Sequence, residues 1–244
     1  GVTNVGNMSD IGAAGDAQKA YDAGVTIGTY LKQLGFNVDY APVADVLTNP
    51  GNTAIGTRSF GSDASMVADM VIKELEGLSS QGVFGAVKHF PGQGGVSGDS
   101  HDGAVTLDKS LEELMQTELV PFQKALENGV SFVMVGHISV PQVVGDNTPA
   151  SLSQMMVSNV LREQLGYQGI VITDAMNMGA VTGNYTADQA AVMAVNAGVD
   201  MILMPQDYET AYNGLLQAVQ DGTISEERID ESVERIVKVK LQMQ

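Results

Sequence analysis

One local pattern, repeated five times, limits the folds open to this 244-residue chain more than any other feature. Each time an amphipathic segment ends at a glycine, a short β-branched or aromatic run follows, and a polar residue and a turn close the unit. The apolar runs begin near residues 37, 83, 131, 169 and 199. Such runs suit strands buried on both faces, and their spacing leaves room for a crossover helix each time. Five successive βα units predict a parallel sheet, either doubly wound or closed into a barrel.

Polar residues at the ends of these runs favour the barrel. Asp45, Lys88 with His89, His137 and Asp174 each stand at the C-terminal end of a predicted strand. In a (β/α)8 barrel this end of the sheet carries the active site. A doubly wound sheet also binds its ligand at strand ends, but in one crevice. The predicted fold class is therefore α/β of the (β/α)8 TIM-barrel type, with about five βα units present.

Two helices are clearly marked in the sequence. Ser110 and Glu113 have the spacing of a capping box at the start of the first helix. Its predicted buried face consists of Leu111, Leu114, Met115, Leu119, Phe122 and Leu126. The second is the last helix of the chain, with Ser225 as its predicted N-cap and lysines gathered in its last turns.

Charge and composition exclude several classes of function. The formal net charge is −17, with only 12 lysines and arginines, so the surface repels nucleic acid and anionic lipid. No apolar run approaches the ~18–20 residues that span a bilayer. There is no cysteine, which rules out disulfides and thiolate chemistry. The spacings typical of zinc and calcium sites are absent, so we expect no metal and no cofactor.

The stretch "KHFPGQGGVSGDSHDG", residues 88–103, holds two of the three histidines among several glycines. It lacks the Lys-Ser/Thr pair of a P-loop and the glycine spacing of a dinucleotide fingerprint. One interpretation is a flexible surface loop with solvated charges. The other rests on Asp99 and His101, which project to the same side of an extended chain. A carboxylate on one imidazole nitrogen would make the other nitrogen a better proton carrier.

Two further residues have a structural and a functional interpretation. Asp174, in "GIVITDAMNMGA", is either the N-cap of the following helix or a nucleophile or metal ligand. Arg58, in "NTAIGTRSFGSD", is either a surface cation or a group that grips a ligand. The remaining side chains at the strand ends are interpreted as structural lining of the barrel mouth: Asp45, His137, Met176 and Met178.

The segments that carry these residues together resemble glycoside hydrolase family 3. Within it they are most similar to the β-N-acetylglucosaminidase branch, which includes bacterial enzymes that trim muropeptides. The matching segments are "YAPVADV", "IGTRSFGSD", "KHFPGQGGVSGDSH", "VPFQKALENGVSFVMVGH" and "GIVITDAMNMGA". They extend over nearly the whole chain.

The resemblance implies a retaining exo-β-N-acetylglucosaminidase that acts on small carbohydrate substrates. It makes Asp174 the nucleophile, and Asp99 with His101 an acid/base dyad on a mobile loop. The chemistry agrees, because a retaining glycosidase needs one carboxylate to attack the anomeric carbon and one group that first gives and later takes a proton. The resemblance further implies that three residues bind the N-acetylglucosamine ring: Arg58, Lys88 and His89.

The chain also departs from the family pattern. The family usually has "PGHGDT" where this chain reads "PGQGGV", with Gln93, Gly95 and Val96 at the variant positions. Family barrels begin with three further strands that have no counterpart before "GVTNVGNMSD". The resemblance thus implies that residues 1–244 form a single catalytic barrel domain that is N-terminally incomplete. We expect such a domain to associate with itself or with the segment that completes the barrel.

Two other functions remain open at this point. A glycoside phosphorylase could use the same residues, because a histidine acid/base, unlike a carboxylate, does not repel an incoming phosphate dianion. A catalytically degenerate sugar-binding domain is the non-enzymatic alternative. The missing strands and the altered loop favour it, whereas the intact Asp174, Asp99 and His101 argue against it.

Overall fold

The computed structural model of the chain describes residues 1–100 and 103–243, and these form two compact units. The first unit comprises Gly1–Ser97 and Glu112–Met134 together with Met243. The second comprises Gly98–Leu111 and Val135–Gln242. The prediction of a single domain over residues 1–244 stays a prediction.

The elements of the first unit alternate between helices and parallel strands. In chain order they are α1 (Met8–Ala13), α2 (Ala17–Gln33), β1 (Val38–Asp39), a 3-10 turn (Gly56–Arg58), α3 (Ala64–Ser80), β2 (Phe84–Phe90), α4 (Leu111–Gln116), α5 (Val120–Glu127) and β4 (Phe132–Val135).

The second unit continues the alternation. Its elements are β3 (Val105–Thr106), β5 (Ile138–Ser139), α6 (Pro141–Val144), a 3-10 turn (Ala150–Leu152), a π-helix (Met155–Gln164), β6 (Ile170–Ala175), α7 (Gly179–Thr182), α8 (Ala187–Ala197), β7 (Met201–Leu203), α9 (Tyr208–Gln220) and α10 (Glu226–Gln242). Among the described residues, no helix combines the length and the apolar character that crossing a membrane requires.

The five predicted strands are all present, and each begins within two residues of its expected position. Their order in the sheet is β1-β2-β4-β6-β7, which follows the order along the chain. A doubly wound sheet reverses its strand order at a switch point, and no reversal occurs here. The order is that of successive strands in a (β/α)8 barrel, so the predicted fold class is confirmed with five βα units.

Glycine lets helices α2 and α3 approach closely in the first unit. A Cβ atom on Gly24 would lie 2.3 Å from the carbonyl oxygen of Glu74, and one on Gly77 would lie 2.2 Å from that of Tyr21. Real Cβ contacts are never this short, so alanine at either position would force the helices apart. The packing of this layer therefore depends on the absence of side chains at two positions.

The helix predicted after Ser110 is interrupted. The structure has two helices, Leu111–Gln116 and Val120–Glu127, where the sequence predicted one. Pro121 near the start of the second helix has no amide hydrogen to continue the first. The amide of Leu119 instead donates to the carbonyl of Leu114, 2.8 Å away. The expected burial is confirmed for Leu114, Leu119 and Phe122.

One buried carboxylate makes several of the hydrogen bonds that connect the last helix, α10, with the rest of the second unit. Asp200 accepts hydrogen bonds from Ser232 Oγ (2.6 Å) and Arg235 Nη1 (3.1 Å), both on α10. It also accepts from the amide of Val171 (2.9 Å) and from Arg162 Nη2. These four donors satisfy a group that would be costly to bury alone.

The predicted start of α10 is confirmed. The hydroxyl of Ser225 accepts a hydrogen bond from the amide of Arg228 at 3.2 Å, which is the N-cap interaction expected three residues into a helix.

A small parallel sheet in the second unit was not predicted. β3 pairs with β5 in the register Val105↔Ile138 and Thr106↔Ser139, and the amide of Leu107 donates to the carbonyl of Ser139. Strands of two residues are too short for any periodic signal in the sequence. This sheet ties the end of the segment that begins at Gly98 to the chain that leaves β4.

One acidic side chain of α3 is almost completely buried. Glu74 is only 2% exposed, and its Oε2 accepts no hydrogen bond from the residues that the structure describes. Burial raises the pKa of Glu74 to about 8; the Asp39 carboxylate adds to this rise, and Lys88 opposes it. The Glu74 side chain is therefore protonated at neutral pH in the folded protein.

This burial predicts a specific pH dependence of stability. Below pH 4.5 the carboxyl is protonated in the folded and the unfolded chain alike. As the pH rises from 4.5 to about 8, the unfolded chain releases the proton while the folded chain keeps it, so folding becomes less favourable. The free energy of unfolding of the wild type, relative to Glu74→Gln, should therefore fall across this interval and level off above it.

Chemical denaturation at a series of pH values measures this difference. Glu76→Gln is the matched control, because Glu76 is an exposed residue of the same helix, paired with Lys73. The control should show no trend of comparable size. A difference between wild type and Glu74→Gln that is constant or rises with pH would contradict the assignment.

Candidate active site

In the first unit, a buried carboxylate fixes the histidine at the end of β2. Asp45 is completely buried, and its Oδ2 lies 2.7 Å from His89 Nδ1. Its Oδ1 accepts hydrogen bonds from the amides of Gln93 (2.6 Å) and His89 (3.3 Å). Because an ionised carboxylate only accepts hydrogen bonds, Nδ1 of His89 carries a proton. Asp45 thus sets both the ring plane and the tautomer of His89.

Asp45 is the functional residue that sequence reasoning underestimated in this unit. The sequence analysis interpreted it as structural lining, whereas the structure pairs it with a predicted sugar-binding residue. The available signal was its place at the C-terminal end of a strand next to the one that carries His89. The pairing itself joins residues 44 positions apart, so no local pattern reveals it.

The glycine-rich segment after His89 is buried and hydrogen-bonded up to Val96. A Cβ atom on Gly94 would lie 2.0 Å from the carbonyl oxygen of Val46, so only glycine fits there. The carbonyl of Gln93 accepts from Asn52 Nδ2 at 2.7 Å, and Val96 is buried. The interpretation as a solvated surface loop is therefore wrong for this part of the segment.

The other predicted sugar-binding residues of the first unit differ in setting. Lys88 lies half-buried beside His89 at the end of β2, and its carbonyl accepts a hydrogen bond from the amide of Ala44 at 2.6 Å. The peptide bond between Lys88 and His89 is cis. Arg58 lies in the 3-10 turn with an exposed side chain, and its Nη2 donates to the carbonyl of Ala54 at 2.6 Å.

In the second unit, Asp174 stands half-buried at the end of β6. Its Oδ1 accepts a hydrogen bond from the amide of Ala175 at 2.8 Å. The pairing with β7 is irregular here, because the register shifts between Ile172 and Ala175. The amide of Leu203 donates to the side-chain Oγ1 of Thr173 at 3.0 Å. Such irregularities are frequent next to active sites, where they redirect a side chain.

The alternative role of Asp174 as a helix N-cap is wrong. The next helix, α7, begins at Gly179, and Met178 occupies its N-cap position without a side-chain hydrogen bond. Asp174 is therefore a strand-end carboxylate with no part in capping.

The segment that carries Asp99 is bonded to the chain just after Asp174. The carbonyl of Ser100 accepts a hydrogen bond from the amide of Ala180 at 3.1 Å, and Ser100 is buried. Asp99 itself is half-buried. The second unit thus brings together the segments of two predicted catalytic residues. His101 lies outside the described residues, so its pairing with Asp99 stays a prediction.

His137, at the end of β4, is hydrogen-bonded through both ring nitrogens. Nε2 lies 3.0 Å from the carbonyl oxygen of Ala175, and Nδ1 lies 2.7 Å from Ser151 Oγ. A carbonyl can only accept, so Nε2 carries the proton and, in the neutral ring, Nδ1 accepts from the serine hydroxyl. No pattern in the sequence points to Ser151, which lies in the short 3-10 turn between β5 and the π-helix.

This combination of fold and strand-end side chains belongs to a family of carbohydrate-active domains. The family model of the glycosyl hydrolase family 3 N-terminal domain matches residues 1–239. The chain belongs to this family, and the resemblance inferred from the sequence is confirmed.

Individual relatives agree with the family. The β-hexosaminidase A of Pseudoalteromonas piscicida is 32% identical over 98% of this chain and 44% of its own length. The structure of a family 3 β-N-acetylglucosaminidase from Paenibacillus matches with a TM-score of 0.97 at 43% identity, over 100% of this chain and 47% of that one. The structure of β-glucoside phosphorylase BglX bound to 2FGlc matches with a TM-score of 0.96 at 27% identity, over 99% and 45% of the two chains. The chain thus spans about half the length of these relatives.

The hydrogen bonds predict opposite tautomers for the two described histidines. Nδ1 of His89 should be protonated because it faces Asp45, whereas His137 should carry its proton on Nε2 and none on Nδ1. The ¹⁵N chemical shifts of the imidazole nitrogens measure this directly above neutral pH, with His89→Asn and His137→Gln used for assignment. An unprotonated Nδ1 in His89, or a protonated Nδ1 in neutral His137, would contradict the geometry.

Proposed function

We propose that the chain is the catalytic-barrel part of a retaining exo-β-N-acetylglucosaminidase. Its substrates are glycans or peptidoglycan fragments with a terminal β-linked N-acetylglucosamine. The observation that carries the proposal is the position of the Asp174 carboxylate at the irregular end of β6, where the amide of Ala175 orients it. The chain that follows Asp174 is hydrogen-bonded to the segment that carries Asp99, because the amide of Ala180 donates to the carbonyl of Ser100. Family membership and the names of the relatives support the same substrate class.

In the first step, Asp174 attacks the anomeric carbon of the bound sugar. His101, oriented by Asp99, gives its proton to the glycosidic oxygen as the bond between that oxygen and the anomeric carbon breaks. The aglycone leaves as an alcohol, and the sugar stays linked to Asp174 as an ester. In the second step His101 takes a proton from water, the water oxygen attacks the anomeric carbon, and the ester bond breaks. Two inversions leave the product with the configuration of the substrate.

Lys88, His89 and Arg58 hold the sugar ring in the proposed complex. The bond from Asp45 supports this role for His89, because a fixed ring loses less entropy when it binds a hydroxyl group.

A phosphorylase is the second candidate. The likeness to the structure of β-glucoside phosphorylase BglX favours it, as does the absence of charge repulsion between a histidine acid/base and phosphate. In that reaction phosphate replaces water in the second step and the product is a sugar 1-phosphate.

Turnover of a chromogenic N-acetylglucosaminide by the active protein separates these functions. We expect hydrolysis without phosphate, and Asp174→Ala should lower kcat by several orders of magnitude because the covalent step is lost. Asp146→Ala, which removes an exposed aspartate of the same unit, should leave kcat unchanged. Turnover that requires phosphate and yields the sugar 1-phosphate would identify a phosphorylase. Sugar binding without turnover would identify a degenerate binding domain.

We further propose that the chain associates with a second copy of itself. Exposed apolar side chains recur at every fourth position on α9 and on α10: Tyr208, Tyr212 and Leu216, and Val233, Val237 and Leu241. The Tyr208 and Tyr212 rings also stack, with centroids 6.2 Å apart. Ordered apolar faces of this kind are typical of association surfaces.

Light scattering tests the association directly. The chain alone should have a mass above that of one copy, and Leu216→Glu with Val237→Glu should lower it toward the monomer. A stable monomer at all concentrations, with the mass of one chain, would contradict the proposal.

A further inference from the structure

The backbone of Ala175 lies between a buried histidine and the proposed nucleophile. Its amide donates to Asp174 Oδ1 at 2.8 Å. Its carbonyl oxygen, in the next peptide group, lies 3.0 Å from His137 Nε2 and 3.2 Å from the amide nitrogen of Met178. Two hydrogen bonds, joined through the Cα atom of Ala175, therefore connect the imidazole ring with the carboxylate.

The histidine in this path is itself held firmly. His137 is 1% exposed, and its Nδ1 lies 2.7 Å from the hydroxyl of the completely buried Ser151. The amide of Ser151 also donates to the carbonyl of Gly136 at 3.1 Å. Ser151 thus binds the end of β4 at two successive residues, one through its main chain and one through its side chain.

The pairing with β7 does not hold the carbonyl of Ala175. Ala175 pairs with Leu203 after a register shift that lies between Ile172 and Ala175, and in this pair the amide of Met176 donates to the carbonyl of Leu203. The carbonyl of Ala175 is instead held by His137 and by the amide of Met178. His137 therefore supplies a partner that fixes the backbone next to Asp174.

We propose that His137 and Ser151 are positioning residues for Asp174. They hold the carbonyl of Ala175 and so fix the backbone of that residue, and the amide of Ala175 in turn orients the carboxylate that attacks the sugar. The inference rests on the proposed role of Asp174 as nucleophile. In-line attack tolerates little displacement, and a misplacement of about 1 Å can cost ~10²-fold in rate. Loss of either side chain should therefore slow the chemical step more than it weakens substrate binding.

Three variants of the active protein test this path. His137→Leu removes the donor to Ala175, and we expect kcat for a chromogenic N-acetylglucosaminide to fall about 10- to 100-fold with KM changed by less than about 2-fold. His137→Gln retains an N–H group that reaches the same carbonyl, and it should recover most of the lost rate. Ser151→Ala leaves the ring without its Nδ1 partner and should have a smaller effect of the same kind.

Ser158→Ala is the matched control. Ser158 is a partly buried serine of the second unit, and its hydroxyl donates to the carbonyl of Ala197 at 2.7 Å. Its loss should lower the unfolding midpoint about as much as Ser151→Ala does, yet leave kcat unchanged. The comparison separates a general loss of stability from an effect on Asp174.

Hydrogen exchange of the Ala175 amide provides a readout that does not depend on turnover. The amide should exchange at least about tenfold faster in His137→Leu than in the wild type, and His137→Gln should restore its protection. If the wild type shows no turnover, the proposed function fails, and the exchange rates alone decide the positioning role.

Two outcomes would overturn the inference. The first is a folded His137→Leu with the kcat and the Ala175 exchange rate of the wild type. The second applies if His137→Leu does not fold. In that case, a Ser151→Ala variant whose kcat and Ala175 exchange rate are both unchanged would overturn the inference.

Discussion

The buried carboxylate of Asp200 determines how the strand that bears the proposed nucleophile is held in the second unit. It accepts a hydrogen bond from the amide of Val171, at the start of β6, and bonds from Arg162, Ser232 and Arg235. An ion buried this completely costs several kcal/mol in desolvation unless such partners compensate it. One charge therefore joins β6, the π-helix and α10. The other end of β6, which carries the proposed nucleophile, is held instead by hydrogen bonds with Leu203 and His137.

The predicted site residues of the two units are supported in the same way. Side chains that are expected to contact the sugar are oriented by buried side chains that are not expected to contact it. Asp45 orients His89 through a short hydrogen bond, and His137 acts on Asp174 through the backbone of Ala175. Catalytic geometry must be kept within a few tenths of an ångström, and such supporting bonds are how a site on strand ends achieves it. The two histidines do different work because one faces a carboxylate and the other a carbonyl.

The sequence predicted the strands well and the site in part. Apolar runs bounded by glycine gave all five strand starts to within two residues, because buried parallel strands have a strong local signal. The break in the helix at Pro121 was missed, although the proline was visible, because the apolar periodicity continues across it. The pairing of Asp45 with His89 and the contact of Ser151 with His137 depend on tertiary proximity, which a local pattern does not contain. The roles of Asp174, Arg58 and Lys88 came from the family resemblance and remain proposals.

The covalent bond between sugar and protein is the most direct measure of the central claim, that Asp174 is the nucleophile. A 5-fluoro N-acetylglucosaminyl fluoride forms the glycosyl ester quickly, and this ester hydrolyses slowly. The labelled protein can therefore be digested and its peptides sequenced by mass spectrometry. The account predicts a single label in "GIVITDAMNMGA", on the carboxylate of Asp174. A label on any other carboxylate, or a protein that turns over substrate without ever being labelled, would contradict it.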